Sequence, residues 1–329
     1  MKLIIQIPCY NESGTLAETL KELPRTLPGV DEITVLIIDD GSTDGTAQTA
    51  LTSGADLVIR HPSNKGLAQA FQTGLEAALA LGADIIVNTD ADNQYPGKYI
   101  ADLVAPVLAG DAEIAIGDRQ VRENEHFSPA KRSLESLGSW FVRKFSNTDV
   151  PDAPSGFRAY SRYAALRTHV HSSYSYTLET LIHAGNSRMR IAHLPIKTNA
   201  STRESRLHKG TWDFIKRQAA TIIRAYVLYE PFKTFTLTSV PFFAAGLFLV
   251  LRFLYYYLTN QAGVGRYINS TILGGVSILF GLMLFMLGLL ADAVKTNRRM
   301  IETGILTDRD ASRIHPEDKT FKGMQILRK

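Results

Sequence analysis

The chain has 329 residues, of which 45% are hydrophobic and 21% are charged, and its formal net charge is +4. This length allows one sizeable soluble domain plus an additional part. The modest positive balance could suggest nucleic acid, but the basic residues cluster beside two apolar segments near the C-terminus. The single cysteine, Cys9, excludes an internal disulfide and suits a reducing compartment. We expect no secretory signal, because the first apolar segment is short and ends at Pro8.

Strand and helix signals alternate through the first half of the chain. Short β-rich segments occupy residues 3–7, 33–38, 57–59, 85–87 and 114–116, and helical patterns lie between them at residues 13–23, 43–51, 66–81 and 97–108. A further helix is expected at residues 174–184. This alternation predicts an α/β fold with a largely parallel sheet that is covered on both faces. Ligands of such sheets bind at the carboxyl ends of the strands.

The ends of the first two predicted strands carry aromatic and acidic residues. Tyr10 and Glu12 follow the first strand, and Asp39 and Asp40 follow the second. Neighbouring asparagine, serine and threonine residues can cap helices, but a cap needs only one residue per helix. A tyrosine ring can stack on a base, and carboxylates can accept hydrogen bonds from ribose hydroxyls or base N–H groups. These strand ends therefore favour a bound nucleotide.

Two further carboxylates, Asp90 and Asp92, follow the strand at residues 85–87. Carboxylates in such loops are also common as turn and cap residues. At the end of a rigid strand they also suit a divalent cation that binds the diphosphate of a sugar nucleotide. The glycine-rich patterns G-x-x-x-x-G-K-[ST] and G-x-G-x-x-G are absent from the sequence, so metal and arginines must balance the diphosphate charge.

The C-terminal third contains two apolar segments that are almost free of charge. The first runs from residue 235 to 251 and, past Arg252, reaches residue 258; the second covers residues 272–290. Both approach the length of roughly 18 to 20 residues that a membrane-spanning helix needs. Basic residues cluster outside the pair, and only Arg266 lies between the two segments. The positive-inside rule then predicts a multi-pass membrane hairpin with a cytoplasmic N-terminal domain.

An amphipathic segment precedes the first span. Apolar residues recur at helical spacing from Trp212 to Val227, so this helix can lie at a membrane interface or pack on the soluble domain. Lipid head groups, rather than nucleic acid, are the expected partner of the basic clusters, and exposed apolar helices allow a homo-oligomer. We divide the chain into a nucleotide-binding domain (1–208), an interfacial helix (209–232), a transmembrane hairpin (233–294, with spans at about 235–258 and 268–294) and a cytoplasmic tail (295–329). From Thr303 onward we expect the tail to be loosely ordered.

Six short motifs together carry a family resemblance. They are IPCYNE (7–12), IDDGSTDGT (38–46), NKG (64–66), DADNQ (90–94), GDR (117–119) and SGFRAY (155–160). Their order is that of family 2 glycosyltransferases, and the chain most resembles the polyprenyl-phosphate sugar synthases of the dolichol-phosphate mannose type. The resemblance spans about residues 3–210 and implies an A-type glycosyltransferase fold.

The resemblance also implies roles for individual residues. Nucleotide contacts would come from Pro8, Tyr10, Glu12, Asp39 and Asp90, and ligands of Mg²⁺ or Mn²⁺ from Asp90, Asp92 and Gln94. The acceptor phosphate would meet Arg119, Arg132 and Ser136, and a loop with Arg203 and Arg206 would close over the donor phosphates. That loop departs from the usual R-x-G-x-S-K-L. The residues expected at the reacting centre are Asp92, Arg119, Arg132 and Asp152, the last with an orienting, basic or purely structural role.

A phosphate acceptor changes what the protein must supply. An alcohol needs a general base, but a lipid monophosphate has its second pKa at about 6 and is already anionic at neutral pH. Arginines such as Arg119 and Arg158 can then dock the dianion. The expected reaction is inverting transfer of one sugar from GDP-mannose or a UDP-hexose to a polyprenyl or dolichyl phosphate. A processive polysaccharide synthase and a non-catalytic membrane adaptor are the alternatives, although the Q-x-x-R-W signature of the former is absent from the sequence.

Overall fold

The computed structural model describes residues 1–121, 136, 139–140, 143, 148–170, 176–199, 227, 230–259, 268–311 and 324–328. The chain divides into two compact units, one formed by Met1–Ile222 with Leu306–Lys329 and the other by Ile223–Ile305. Most of the expected interfacial helix, including Trp212, lies outside the described residues.

The first unit contains an eight-stranded sheet with the strand order β7-β5-β6-β4-β1-β2-β3-β8. In chain order the strands are β1 (Lys2–Cys9), β2 (Glu32–Asp39), β3 (Leu57–Arg60), β4 (Ile85–Asn88), β5 (Ile114–Asp118), β6 (Arg158–Ser161), β7 (Ile191–Pro195) and β8 (Gln325–Arg328). β6 runs antiparallel to β4 and β5, and β8 runs antiparallel to β3, whereas the other neighbours are parallel. The prediction of a largely parallel sheet is confirmed.

All five predicted strands are present and extend beyond their predicted ends. The strands β6 and β7 were not predicted. β6 gives no clear strand signal in the sequence because it begins with the charged Arg158. In the structure it lies between β4 and β5, and most of its residues are buried. β7 has no clear alternation, and its exposed residues are His193 and Pro195. Strands this short give little periodic signal.

Helices cover the sheet in the predicted alternating order. They are α1 (Leu16–Glu22), α2 (Thr46–Thr52), α3 (Leu67–Ala80), α4 (Ile100–Leu108), α5 (Arg162–Arg167) and α6 (Tyr176–Asn186). The helix α2 begins later than predicted because the residues before it form a turn. Asp44 Oδ1 accepts a hydrogen bond from Thr46 N at 3.1 Å, and Gly45 has a left-handed φ of +85°. Glycine adopts that conformation without steric cost.

The central strand β1 explains why the sheet is buried on both faces. Every residue from Leu3 to Cys9 is buried. Leu3, Ile5 and Ile7 join the apolar core with α1 and α4 on one face. On the other face Gln6 lies against Gly74 of α3. A near-continuous apolar strand is typical of a parallel sheet with helices on both sides.

The C-terminal strand β8 corrects the expected loose order of the tail. It pairs with β3 from Leu57↔Arg328 to Arg60↔Gln325, and Leu327 packs against the core. The expectation is also wrong for residues 303–311, which continue the last helix. An edge strand gains its stability from main-chain bonds to a distant neighbour, and four residues carry no pattern that would reveal this.

Deleting residues 324–329 is expected to destabilise the first unit by about 1 to 3 kcal/mol, because the cross-strand pairs with β3 are lost. The midpoint of thermal unfolding in detergent measures this effect. The variant Gln325→Ser changes only an exposed side chain of the same strand and should keep the wild-type midpoint. If the deletion also keeps that midpoint, β8 contributes no stability.

Two long helices, α7 (Pro231–Leu258) and α8 (Ile268–Ala311), account for the described part of the second unit, which α8 leaves after Ile305. Among the described residues, Pro231–Leu258 and Ile268–Asn297 are the two helical segments long and apolar enough to cross a membrane. The helices pack closely: a Cβ on Gly246 would lie 2.7 Å from Gly274 O, and Ser277 Oγ donates a hydrogen bond to Phe242 O at 2.9 Å. Small residues permit such close packing between membrane helices. Both predicted spans therefore coincide with helices.

Candidate active site

The strands β1 and β4 separate at their carboxyl ends and leave a crevice. β1 pairs with β2 as far as Cys9, but its register with β4 ends at Gln6↔Asn88. Pro8 has no N–H group to continue the ladder toward β4. The chain runs from β1 to β2 on one side and β4 lies on the other, so this is the switch point at which open α/β sheets bind ligands. Tyr10 follows β1 here and is 41% exposed.

Asp39 presents a carboxylate oxygen at this crevice without a hydrogen bond. The residue is completely buried at the end of β2, and its Oδ1 accepts a hydrogen bond from Ser42 N at 2.9 Å. Arg60 Nε lies 3.2 Å from Oδ2, but among the described residues Oδ2 has no partner with hydrogen-bond geometry. A buried acceptor of this kind is costly unless a ligand satisfies it. Asp39 therefore has the chemistry to accept an N–H or O–H group.

Its neighbour Asp40 has a structural role instead of the expected nucleotide contact. Its carboxylate accepts hydrogen bonds from Lys65 N at 2.9 Å and Gly66 N at 2.8 Å, and lies 2.7 Å from His61 Nδ1. Asp40 thus fixes the loop that leads into α3. Glu12 is also buried, and it accepts a hydrogen bond from Thr15 Oγ1 at 3.1 Å in the turn before α1. Both carboxylates shape the loops around the crevice.

The pair Asp90 and Asp92 follows β4 as predicted, beside the crevice. Gly156, just before β6, faces Asp90: a Cβ built there would lie 3.3 Å from each carboxylate oxygen of Asp90. Asp92 Oδ1 accepts a hydrogen bond from Gln94 N at 3.1 Å, and Asn93 between them has a left-handed φ of 55°. A side chain at position 156 would crowd the Asp90 oxygens, and the turn after Asp90 holds the Asp92 carboxylate against the backbone of Gln94.

This donor set fits a cation that shares its ligands with a substrate. Within the described ranges no group of three or more His, Cys, Asp or Glu residues could hold a metal ion by itself. Mg²⁺ commonly binds to one or two carboxylates and completes its coordination with substrate phosphates and water. Asp90 and Asp92, with the space beside Gly156, match that mode rather than a closed structural site.

Arg119 and Asp152, which were expected at the reacting centre, bind each other. Arg119 Nε and Nη2 donate to the two carboxylate oxygens of Asp152 at 2.7 and 2.8 Å, and Arg119 N donates at 3.0 Å. Both side chains are buried. Desolvation raises the pKa of Asp118, the preceding residue, and the negative charge of Asp152 adds to that shift. This geometry favours an orienting or structural role for Asp152 over that of a base.

The other predicted basic residues have different outcomes. Arg158 is fully buried and is no acceptor-docking group: it donates to Ser155 O at 2.8 Å, Thr180 Oγ1 at 2.7 Å and Ala153 O at 2.7 Å. It holds the loop before β6 in place. Ser136 is half-buried. Three predicted residues, Arg132, Arg203 and Arg206, lie outside the described residues.

Sequence reasoning missed a buried polar network beneath Asp90. Gln6 Nε2 donates to Asn88 Oδ1 at 2.9 Å, and Asn88 Nδ2 donates to Gly156 O at 2.8 Å and to Tyr176 Oη at 2.9 Å. Tyr95 Oη accepts from Gly156 N at 3.3 Å. The available signal was a single amide side chain among the otherwise apolar buried residues of each of two strands. Buried polar groups in such strands must find partners.

A family model described as "Glycosyl transferase family 2" matches residues 4–168. The chain is 30% identical over 214 residues to the UDP-N-acetylglucosamine–dolichyl-phosphate N-acetylglucosaminyltransferase of Methanococcus voltae, covering 58% of this chain and 83% of that protein. It is 28% identical over 206 residues to the undecaprenyl-phosphate mannosyltransferase of Micrococcus luteus, covering 60% and 83% respectively.

The fold also resembles a solved structure. Glucosyl-3-phosphoglycerate synthase from Mycobacterium tuberculosis, crystallised in complex with Mn²⁺, UDP-glucose and phosphoglyceric acid, gives a TM-score of 0.53 at 19% identity. The matched region covers 69% of this chain and 79% of that one. At this identity the similarity concerns the fold.

Proposed function

The chain belongs to glycosyltransferase family 2 and has the A-type fold of that family, and we propose that it transfers one sugar from a nucleoside-diphosphate sugar to a polyprenyl phosphate. The proposal rests above all on one observation: Asp39 lies at the carboxyl end of β2, and Asp90 and Asp92 follow the carboxyl end of β4, on the two sides of β1. The polyprenyl-phosphate transferases among its relatives support the choice of acceptor.

The donor nucleoside fits the β1–β2 side of the crevice. The buried oxygen of Asp39 would accept a hydrogen bond from the base or ribose, and the exposed ring of Tyr10 offers a stacking surface. Pro8 and Glu12 shape the adjacent walls. This division assigns the base to β1 and β2 and the diphosphate to the loop after β4.

The diphosphate would lie beside Asp90, Asp92 and Gln94 with Mg²⁺ or Mn²⁺. When bound, the cation would offset the negative charge that develops on the departing nucleoside diphosphate. The Mn²⁺ and UDP-glucose in the complex from M. tuberculosis support such a cation for this fold. Asp90 and Asp92 would hold it, and Gly156 would keep the approach to Asp90 open.

The acceptor phosphate needs positive charge rather than a base. Its anionic oxygen would attack the anomeric carbon as the bond to the diphosphate oxygen breaks, so the anomeric configuration inverts. Arg119, held in place by Asp152, supplies a guanidinium at the end of β5. Arg132 and Ser136 would complete the acceptor contacts, and Arg203 and Arg206 would close over the donor phosphates.

The membrane arrangement supports a lipid acceptor. Strands from both before and after the hairpin belong to the same sheet, so both segments would lie on one side of a membrane crossed by α7 and α8. Basic residues flank the hairpin, including Lys233 and Lys295. By the positive-inside rule that side would be the cytoplasm. Transfer would therefore occur at the cytoplasmic face.

The test is direct transfer by membranes that contain the protein. They are incubated with labelled UDP- or GDP-sugars, a polyprenyl phosphate and Mn²⁺ or Mg²⁺, next to membranes that lack the protein. We expect a lipid product with one sugar and an inverted anomeric centre by NMR. A long glycan would identify a processive synthase, and no turnover with any donor would contradict the proposal.

A further inference from the structure

The buried Tyr176 and the partly exposed Asp90 both lie close to Gly156. A Cβ built on Gly156 would lie 2.8 Å from Tyr176 Oη and 3.3 Å from each carboxylate oxygen of Asp90. The Tyr176 hydroxyl and the Asp90 carboxylate therefore border the same gap. Nothing larger than glycine fits between them without displacing one of the two.

The Tyr176 ring is held rigidly. It is 1% exposed and stacks on Phe71 with the ring centroids 3.9 Å apart and the planes at 8°. Its Oη accepts a hydrogen bond from Asn88 Nδ2, and Asn88 is fixed in turn by Gln6. A side chain with both its ring and its oxygen fixed can orient a neighbouring group with little loss of entropy.

The hydroxyl proton of Tyr176 makes only a long hydrogen bond in the structure. Because Tyr176 Oη accepts from Asn88, its own proton needs a separate acceptor. Gly156 O lies 3.5 Å away, which makes a long and weak bond. A neutral donor can hold a carboxylate without a positive charge that would compete with a cation.

We propose that Tyr176 is a positioning residue for the metal site. Its hydroxyl, oriented by Asn88 and Gln6, donates to Asp90 and fixes the direction in which that carboxylate presents its oxygens to the cation. Groups that orient a metal ligand in this way typically change metal affinity or activity by about 10- to 100-fold when removed. The inference rests on the proposed metal-dependent function.

The variant Tyr176→Phe tests this inference, and Tyr160→Phe is its matched control. Tyr160 is also fully buried and also packs on Phe71, at a centroid distance of 5.9 Å. Its Oη, however, has no hydrogen-bond partner among the described residues. Free Mn²⁺ is measured by electron paramagnetic resonance on the purified full-length protein with saturating UDP. Steady-state transfer then separates the KM for Mn²⁺ from kcat.

We expect Tyr176→Phe to weaken Mn²⁺ binding and to raise the KM for Mn²⁺ by about 10- to 100-fold, with a smaller change in kcat at saturating metal. Tyr160→Phe should match the wild type in both. Thermal unfolding without metal reports any general loss of structure. If Tyr176→Phe is much less stable than its control, Asn88→Asp provides the same test, because it keeps Tyr176 and offers its proton a competing acceptor.

The outcomes separate this inference from the proposed function. Wild-type Mn²⁺ affinity in both Tyr176→Phe and Asn88→Asp would overturn the role of Tyr176 and leave the transferase proposal intact. A wild-type protein that binds no Mn²⁺ or Mg²⁺ in the presence of UDP or GDP would overturn both.

Discussion

The variant Asp90→Asn is expected to lower sugar transfer by a factor on the order of 10³ while the protein stays folded. The substitution keeps the shape of the side chain but removes the charge that would hold the cation, and the loss of one group that stabilises developing charge costs about 10² to 10³ in rate. Asp92→Asn should show a similar loss. Initial rates with a labelled donor measure the effect, and circular dichroism checks the fold.

A matched control for this experiment is an exposed aspartate outside the proposed metal site. Asp102 in α4 is exposed and far from the carboxyl end of β4 along the chain, so Asp102→Asn should transfer sugar at the wild-type rate. If Asp90→Asn kept more than about a tenth of the wild-type rate, Asp90 would not be a metal ligand. Equal losses in Asp102→Asn would instead point to a general effect on stability.

The donor side of the site could be predicted because its signals are local. Asp90 and Asp92 directly follow an apolar strand, and Asp39 ends another, so position in the sequence already places them at one edge of a parallel sheet. The five predicted strands have the same local character. The structure adds the detail that distinguishes neighbours: Asp39 keeps a buried oxygen without a hydrogen bond, whereas Asp40 binds the backbone before α3.

The remaining features depend on contacts between distant parts of the chain. β8 joins the sheet through its pairing with β3, more than two hundred residues earlier. In the sequence Arg158 resembles a surface charge. In the structure it is completely buried, and it donates hydrogen bonds to two carbonyl oxygens of the loop before β6 and to a hydroxyl of α6. Tyr176 meets Asn88 because α6 packs on α3, where Phe71 stacks on the Tyr176 ring. No periodicity or motif in the sequence encodes these pairings, so they could not be predicted from it.

Breaking the buried ion pair of Arg119 and Asp152 should lower the free energy of unfolding far more than breaking an exposed ion pair does. Asp152→Ala leaves a buried guanidinium without its carboxylate, which is expected to lower the free energy of unfolding by about 3 to 5 kcal/mol. Chemical denaturation in detergent measures this. The ion pair of Arg190 and Glu113 is the matched control, since Arg190 is 61% exposed and Arg190→Ala should cost less than about 1 kcal/mol.

The double variant distinguishes a positioning role of Asp152 from a basic one. If Asp152 acts through Arg119, the variants Asp152→Ala, Arg119→Ala and their combination should lose transfer activity to a similar extent, because each removes the same unit. If Asp152 acts as an independent base, the double variant should instead lose roughly the product of the two single losses. An acceptor that is already anionic gives a base nothing to remove, so we expect the first result.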